Sequence, residues 1–504
     1  MAHENLRATR RQVAGALPAL ALGFLLAPGA LRAQGDTRYG APEAFSWDIL
    51  IERARDLAAR PFAQRPPAPD AAPDFDGFGR LAYGQAARLG NDLRLFPATH
   101  AIAERGVDIH VLSQGQARRL IDAKGMFAHD KVATPAGFRV MNAPGLDTKG
   151  DWLAYLGGCY FRSAGQQDQY GLSARAIAID TGLATPEEFP AFTAFWIEEL
   201  GRDHVRILAL LDGPALAGAC SFDCRKGTDG VHQDVRLALF LRHGVTRLGL
   251  APLTSMFWYD QSGPRADWRP EIHDSDGLAV LAGNGERIWR PLENAPHART
   301  TSFRADHVKG FGLLQRDRDF AHYQDDGAFY DKRPSLWVEP EGDWGAGEVM
   351  LYEMPTASET QDNVVAFWVS DTPTQAGERR DLAYRLHWTS EEPLAGTQAR
   401  CTNRFEGPAG RPGSPPEQAR RKYVFDFTGP VLAGETRSSG VTAETDLPRE
   451  AIATLAVYPV VGREDTWRVM LELHAEKAPR PEFRLSLRKG ASALSETVIA
   501  MLRA

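Results

Sequence analysis

Asp267-Trp-Arg-Pro-Glu-Ile-His-Asp-Ser-Asp-Gly-Leu278 sets four carboxylates, Asp267, Glu271, Asp274 and Asp276, beside Trp268, Arg269 and His273. No apolar periodicity accounts for the arrangement. The run before it, Leu248–Tyr259 (Leu-Gly-Leu-Ala-Pro-Leu-Thr-Ser-Met-Phe-Trp-Tyr), reads as buried strand, and Asn284–Leu292 after it brings Trp289 and Arg290. A polar loop held between apolar strands predicts a β-scaffold that presents charge at its edge. Carboxylates beside aromatic rings suit carbohydrate chemistry, because rings stack on sugar faces and carboxyl groups exchange protons with glycosidic oxygens and water. A surface loop with no ligand is the competing reading of this stretch taken alone.

Working outward, strand signals dominate. Val107–Leu112 and Ala117–Ile121 alternate about Gln114-Gly115 and predict a hairpin. Strands are also expected in Leu153–Ala164, Leu172–Asp180, Ile207–Leu211, Asp234–Leu241, Arg247–Trp258, Ser335–Glu339, Glu348–Met354 and Asn363–Val369. Helix is expected in two places. Ser46–Arg60 has a capping serine and an apolar face formed by Ile49, Leu50, Ala54 and Leu57, and Thr185-Pro-Glu-Glu188 reads as a capping box. Many strands between Gly, Pro and Asp turns predict a large antiparallel β-sandwich. Gly407–Glu417 reads as a linker, and Lys422–Phe427, Ala451–Val460, Trp467–His474 and Glu482–Arg488 have the spacing of a small sandwich of about 100 residues.

At 504 residues two domains are expected. Apolar content of 43% and charged content of 24% are those of a globular chain, and the net charge of −7 argues against nucleic acid as a partner. Four cysteines (159, 220, 224 and 401) are too few for a disulfide scaffold. Cys220-x3-Cys224 lacks a matching Cys/His pair, so no metal is expected, and no motif asks for a cofactor. At the N-terminus, Thr9-Arg10-Arg11 precedes the apolar run Val13–Leu26 and the ending Ala30-Leu-Arg-Ala33. This reads as an export signal, with the paired arginines favouring the twin-arginine route over a general secretory signal.

A second charged and aromatic region spans Arg316–Asp362. Tyr323, Tyr330, Trp337 and Trp344 sit among Asp, Arg and Gly, and Ser358-Glu359-Thr-Gln-Asp362-Asn363 lies at a strand mouth, where rigid elements present side chains. Spacing alone does not bring Glu359 and Asp362 to the Asp274 loop.

Several ordered stretches resemble the bacterial periplasmic glucan biosynthesis proteins G and D. They are Tyr170-Gly-Leu-Ser-Ala-Arg175, Ala251-Pro-Leu-Thr-Ser-Met-Phe257, Asp267–Leu278, Gly310–Asp319, Tyr330–Pro340, Gly342-Asp-Trp-Gly345, Asp362-Asn363 and Ala493-Leu-Ser-Glu-Thr497. Arg10-Arg11 tilts the likeness toward the D type. The resemblance implies a large β-sandwich joined to an immunoglobulin-like one, in the periplasm. With the sequence signals, the expected division is export signal 1–33, β-sandwich 40–405, linker 406–418 and immunoglobulin-like domain 419–504. It also implies an inverting endo-β-1,2-glucanase, with Asp274 as general base, Asp362 as general acid acting through a substrate hydroxyl, and Glu359 assisting. Trp268, His273, Asp276, Trp289, Tyr330 and Trp337 are the expected substrate contacts. Expected partners are a β-1,2-linked glucan, the glucan-synthesis machinery of the inner membrane and, in a homodimer, a second copy of the chain. A non-catalytic glucan-binding scaffold and a transglycosylase or branching factor are the alternative activities.

Overall fold

Period-two alternation builds the sheets of the computed structural model, which describes residues 38–70, 89–100, 103–127, 134–142 and 150–502, except 411, 412, 414 and 416. The expected export signal, residues 1–33, lies outside the described residues. In His204–Asp212 and Leu216–Lys226, the side chains Val205, Ile207, Ala209, Leu211, Cys220, Phe222 and Cys224 point inward. On the opposite face, Leu208 and Ala219 pack with Leu50 and Ala54 of the helix Trp47–Ala58. That helix is capped as predicted, with the Ser46 hydroxyl accepting from the Ile49 amide at 3.3 Å.

Among the described residues, one sheet has sixteen strands and a second has ten. A single core draws Phe195, Ile207, Leu237 and Trp388 from the first and Phe138, Tyr155, Leu253 and Trp368 from the second. The two layers therefore form the expected sandwich. The predicted hairpin pairs Asp108–Ser113 with Gln116–Arg119, turning through Gln114 and Gly115, both at positive φ. The four cysteines are free and buried.

Two expectations change. Thr185–Glu188 is not helical. Glu187 instead binds Arg175 at 2.7 Å and Thr181 at 2.7 Å, while Glu188 accepts from the Ala215 amide at 2.9 Å. Tertiary partners have taken the carboxylates that a capping box would use. The expected linker lies in a hairpin: Arg400–Ala409 pairs antiparallel with Glu417–Thr428, so the chain turns back on itself there.

The C-terminal strands form a four-stranded sheet, Arg400–Ala409, Glu417–Thr428, Thr466–Leu473 and Ile452–Pro459, facing Val441–Thr445, Glu482–Lys489 and Thr497–Met501. The latter three continue the sixteen-stranded sheet, because Thr497–Met501 pairs in parallel with Arg287–Pro291. Trp289 and Trp337 pack into the core of this C-terminal layer with Phe425, Trp467 and Phe483. Glycines make room for these indoles. A Cβ on Gly277 would lie 2.4 Å from the Trp289 ring, and one on Gly310 would lie 2.3 Å from Trp337. Gly277→Ala is expected to lower stability by about 1–3 kcal/mol through overpacking, measured by urea unfolding. An unchanged midpoint would mean that the ring moves aside at no cost.

Candidate functional site

The segment Asp267–Leu278 is built in three pieces. Asp267 to Pro270 form bends, Ile272–His273 pairs with Phe257–Tyr259, and Gly277–Leu281 enters the large sheet beside Gly310–Leu314. Between the last two pieces, the Asp274 amide donates to Met256 O at 2.8 Å, and Ser275 and Ser255 share a hydroxyl contact of 2.9 Å. These bonds hold Asp274 on a fixed backbone. Its carboxylate is buried and ion-paired with Arg333.

Asp362 is tied to the same backbone through its neighbour. The fully buried Asn363 amide accepts from Phe257 N at 2.8 Å and donates to Phe257 O at 3.0 Å and Met354 O at 2.8 Å. Phe257 is itself paired with His273. The strand mouth that carries Asp362 is thus stapled to the strand that precedes Asp274. Asp362 is exposed at its own surface, but surrounding protein displaces much of the bulk water near it. That desolvation, followed by the charge of Asp274, raises its pKa against the opposing pull of Arg162, Arg175 and Arg333.

Glu359 has the opposite environment. Arg269 donates to it at 2.8 and 3.2 Å and the Tyr330 hydroxyl at 2.6 Å. These bonds, led by those from Arg269, hold its carboxyl below the usual range. Arg269 also binds Asp267 at 2.6 Å and Asp325 at 2.7 Å, so one guanidinium gathers three carboxylates. Arg333 lies over the Tyr330 ring at 4.0 Å. The structure therefore joins Asp274, Tyr330 and Glu359 through Arg333 and Arg269, while Asp362 is coupled to Asp274 through charge alone. Both arginines stand inside motifs that the sequence displays, but nothing in the spacing marks them as the connectors.

Other expected contacts move. Trp268 is 69% exposed and is free to stack on a ligand. Trp289 and Trp337 are buried beneath the C-terminal layer, with the guanidinium of Arg316 over Trp289 at 3.6 Å, so neither presents an exposed ring. The Tyr330 ring is buried as well, leaving its hydroxyl on Glu359. His273 is fully buried and cannot touch a ligand. Asp276 faces away from Asp274: its carboxylate accepts from the Arg316 and Asp317 amides and lines a cavity of about 990 Å³ between the large sheet and Arg400–Ala409. Glu271, Asp317, His322, Arg404 and the exposed Phe405 also line that cavity, which contains none of Asp274, Glu359 and Asp362.

Among the described residues, two sets of ligand-type atoms lie within 4.8 Å of one another, Glu271/His273/Asp276 and Glu271/Asp317/His322. In each, an imidazole already pairs with a carboxylate, His273 with Glu271 at 2.7 Å and His322 with Asp317 at 2.6 Å. Burial alone would depress the pKa of His273, but the Glu271 hydrogen bond and the charges of Asp276 and Glu271 outweigh it and lift it to about 9. Desolvation raises Asp276 to about 6.

The sign of the resulting pH effect follows by linkage. A histidine whose folded pKa exceeds its unfolded value stabilises fully below the unfolded value, about 6.5. That contribution is lost as pH rises through the folded value near 9. Denaturation of the wild type from pH 6.5 to 9 is therefore expected to show falling stability, and His273→Gln is expected to flatten the slope. Asp276 titrates below this window. Equal slopes in the two proteins would remove His273 as the cause.

The family model described as "Periplasmic glucan biosynthesis protein, MdoG" matches residues 45–502. Glucans biosynthesis protein D 2 of Ralstonia nicotianae is 39% identical, covering 97% of this chain and 96% of the relative. Glucans biosynthesis protein D 1 of the same organism is 41% identical over 95% and 96%. Glucans biosynthesis protein D of Xanthomonas oryzae pv. oryzae is 37% identical over 97% and 96%. A match that takes in both sandwich layers and every residue of the charged site leaves one assignment: the chain belongs to the periplasmic glucan biosynthesis (MdoG) family.

Proposed function

We propose that this protein works in the periplasm as an inverting endo-β-1,2-glucanase that trims the backbone of the glucan its family helps to make. Asp362 is the general acid, Asp274 the general base, and Glu359 a fixed carboxylate that holds Arg269 and Tyr330 in place. The reading rests on one observation: two aspartates within electrostatic reach of each other have environments of opposite kind. Asp274 is paired with a guanidinium, whereas desolvation and the negative charge of Asp274 favour the protonated form of Asp362. Carboxyl pairs whose environments push their protonation apart are the signature of acid–base assignment in glycoside cleavage. Glu359 is a poor proton donor because Arg269 and Tyr330 stabilise its charge.

In this mechanism Asp362 supplies the proton that the leaving glycosidic oxygen receives, directly or through a substrate hydroxyl. Asp274 takes a proton from the water that attacks the opposite face of the sugar, and the anomeric centre inverts. Trp268 offers an open ring for stacking the chain. Activity should fall as pH rises through the raised pKa of Asp362, because the acid must carry its proton.

The test is incubation of the purified protein with linear β-1,2-glucan, following new reducing ends, product size and the first anomer formed. Short oligosaccharides of inverted configuration are expected. Asp274→Asn and Asp362→Asn should each slow their release by about 10²–10⁴-fold with glucan binding retained. Binding with no products from wild type would make the protein a glucan-holding scaffold. Longer products with an added acceptor would make it a transferase.

A further inference from the structure

Gln315 is fully buried beneath the site and touches neither Asp274 nor Asp362. Its Oε1 accepts from His273 Nδ1 at 3.0 Å. Its Nε2 lies 3.1 Å from Tyr330 O, 3.1 Å from His273 O and 3.0 Å from the Tyr323 hydroxyl. The backbone carbonyls can only accept, so they fix which end of the amide faces which partner. One side chain therefore clasps two separate segments: the strand that leads into Asp274, and the 3-10 turn Tyr330–Lys332 that leads into Arg333.

Arg333 closes the circuit by pairing with Asp274. The path runs from His273 through Gln315 to Tyr330, along the turn to Arg333, across to Asp274 and back along the chain to His273. The turn needs a clasp. Phe329, which opens it, is held at φ 49°, a left-handed conformation that a phenylalanine adopts only when its surroundings impose it. Arg318 holds the carbonyls of Asp331 and Arg333, but the carbonyl of Tyr330 is held by Gln315.

We propose that Gln315 is a positioning residue, whose amide joins His273 to Tyr330 and so keeps Arg333 in register with Asp274. The inference rests on the reading of Asp274 as the base. It adds that the geometry of the base is set from the buried side of the site, by a neutral amide with no contact to the glucan.

The test compares wild type, Gln315→Met, Arg333→Lys and the double variant on linear β-1,2-glucan. Gln315→Met is expected to lower kcat by about 10- to 100-fold, with KM changed far less. The double variant should be no slower than Arg333→Lys alone, because the amide acts through Arg333. Gln315→Glu keeps the acceptor for His273 and loses the donor to Tyr330. It should show the same kcat loss and serves if the Met variant does not fold. Gln233→Met, at a buried glutamine bound to Tyr155 and Trp388, should leave kcat unchanged while also perturbing the core.

Amide hydrogen exchange gives a readout that needs no turnover. The amides of Lys332 and Arg333, bonded within the turn at 3.0 and 3.3 Å, should exchange faster in both Gln315 variants and not in Gln233→Met. Additive losses in the double variant, or unchanged exchange at those two amides, would overturn the proposal. An inactive wild type would instead overturn the glucanase reading and leave hydrogen exchange to decide the clasp.

Discussion

Charge can be kept inside this sandwich only where each ion finds a partner, and that constraint shapes the whole site. An unpaired buried carboxylate costs several kcal/mol, whereas a paired and hydrogen-bonded one can come close to breaking even. Arginines meet the demand in chains. Arg269 serves Asp267, Asp325 and Glu359; Arg316 serves Glu392 and Glu496; Arg404 reaches Asp260 and Glu293. Fully buried Arg290 pairs with fully buried Glu353, which also receives Arg299. Guanidinium suits this task because its planar fork serves several oxygens at once and stays charged when desolvated.

Asp362 departs from the pattern: among the described residues no side-chain cation is hydrogen-bonded to it, and desolvation, followed by the charge of Asp274, raises its pKa. Asp274 and Glu359, a short way off, are both clamped by arginine. The protein therefore sorts these three carboxyl groups by whether an arginine is hydrogen-bonded to each. This division of labour is available only because the backbone around them is already rigid, with Asn363 stapling one strand mouth to the neighbouring strand.

Much of the scaffold was readable from local pattern. The Gln114-Gly115 turn, the Ser46 cap and the apolar runs report structure decided within a few residues, and the folded protein keeps them. The expected helix at Thr185 failed because Arg175 and the Ala215 amide, distant partners, claimed its glutamates. The site showed the same division. Carboxylates and rings announced themselves by type, yet whether a tryptophan faces a ligand or a core depends on what covers it. Trp268 is exposed, whereas Trp289 and Trp337 lie under a layer contributed by chain far downstream. No window of sequence contains both the ring and its cover. Gln315 was illegible for the same reason: its two clients come from segments on either side of it.

The parallel seam between Arg287–Pro291 and Thr497–Met501 bears on how the molecule is made. Thr497 and Glu286 bond across 211 residues of chain, so the two edges meet only after all the intervening chain has been made. Until then the sheet that carries the Asp274 segment ends in a strand with unpaired backbone groups and with Trp289 uncovered, a template for pairing with the wrong partner. Pairing with Thr497–Met501 covers that edge and the ring in one step, and the sheet then ends at Val441–Thr445. The C-terminal layer is in this sense an assembly device: the sheet that carries the Asp274 segment gains its neighbour only when the chain has been made through Met501.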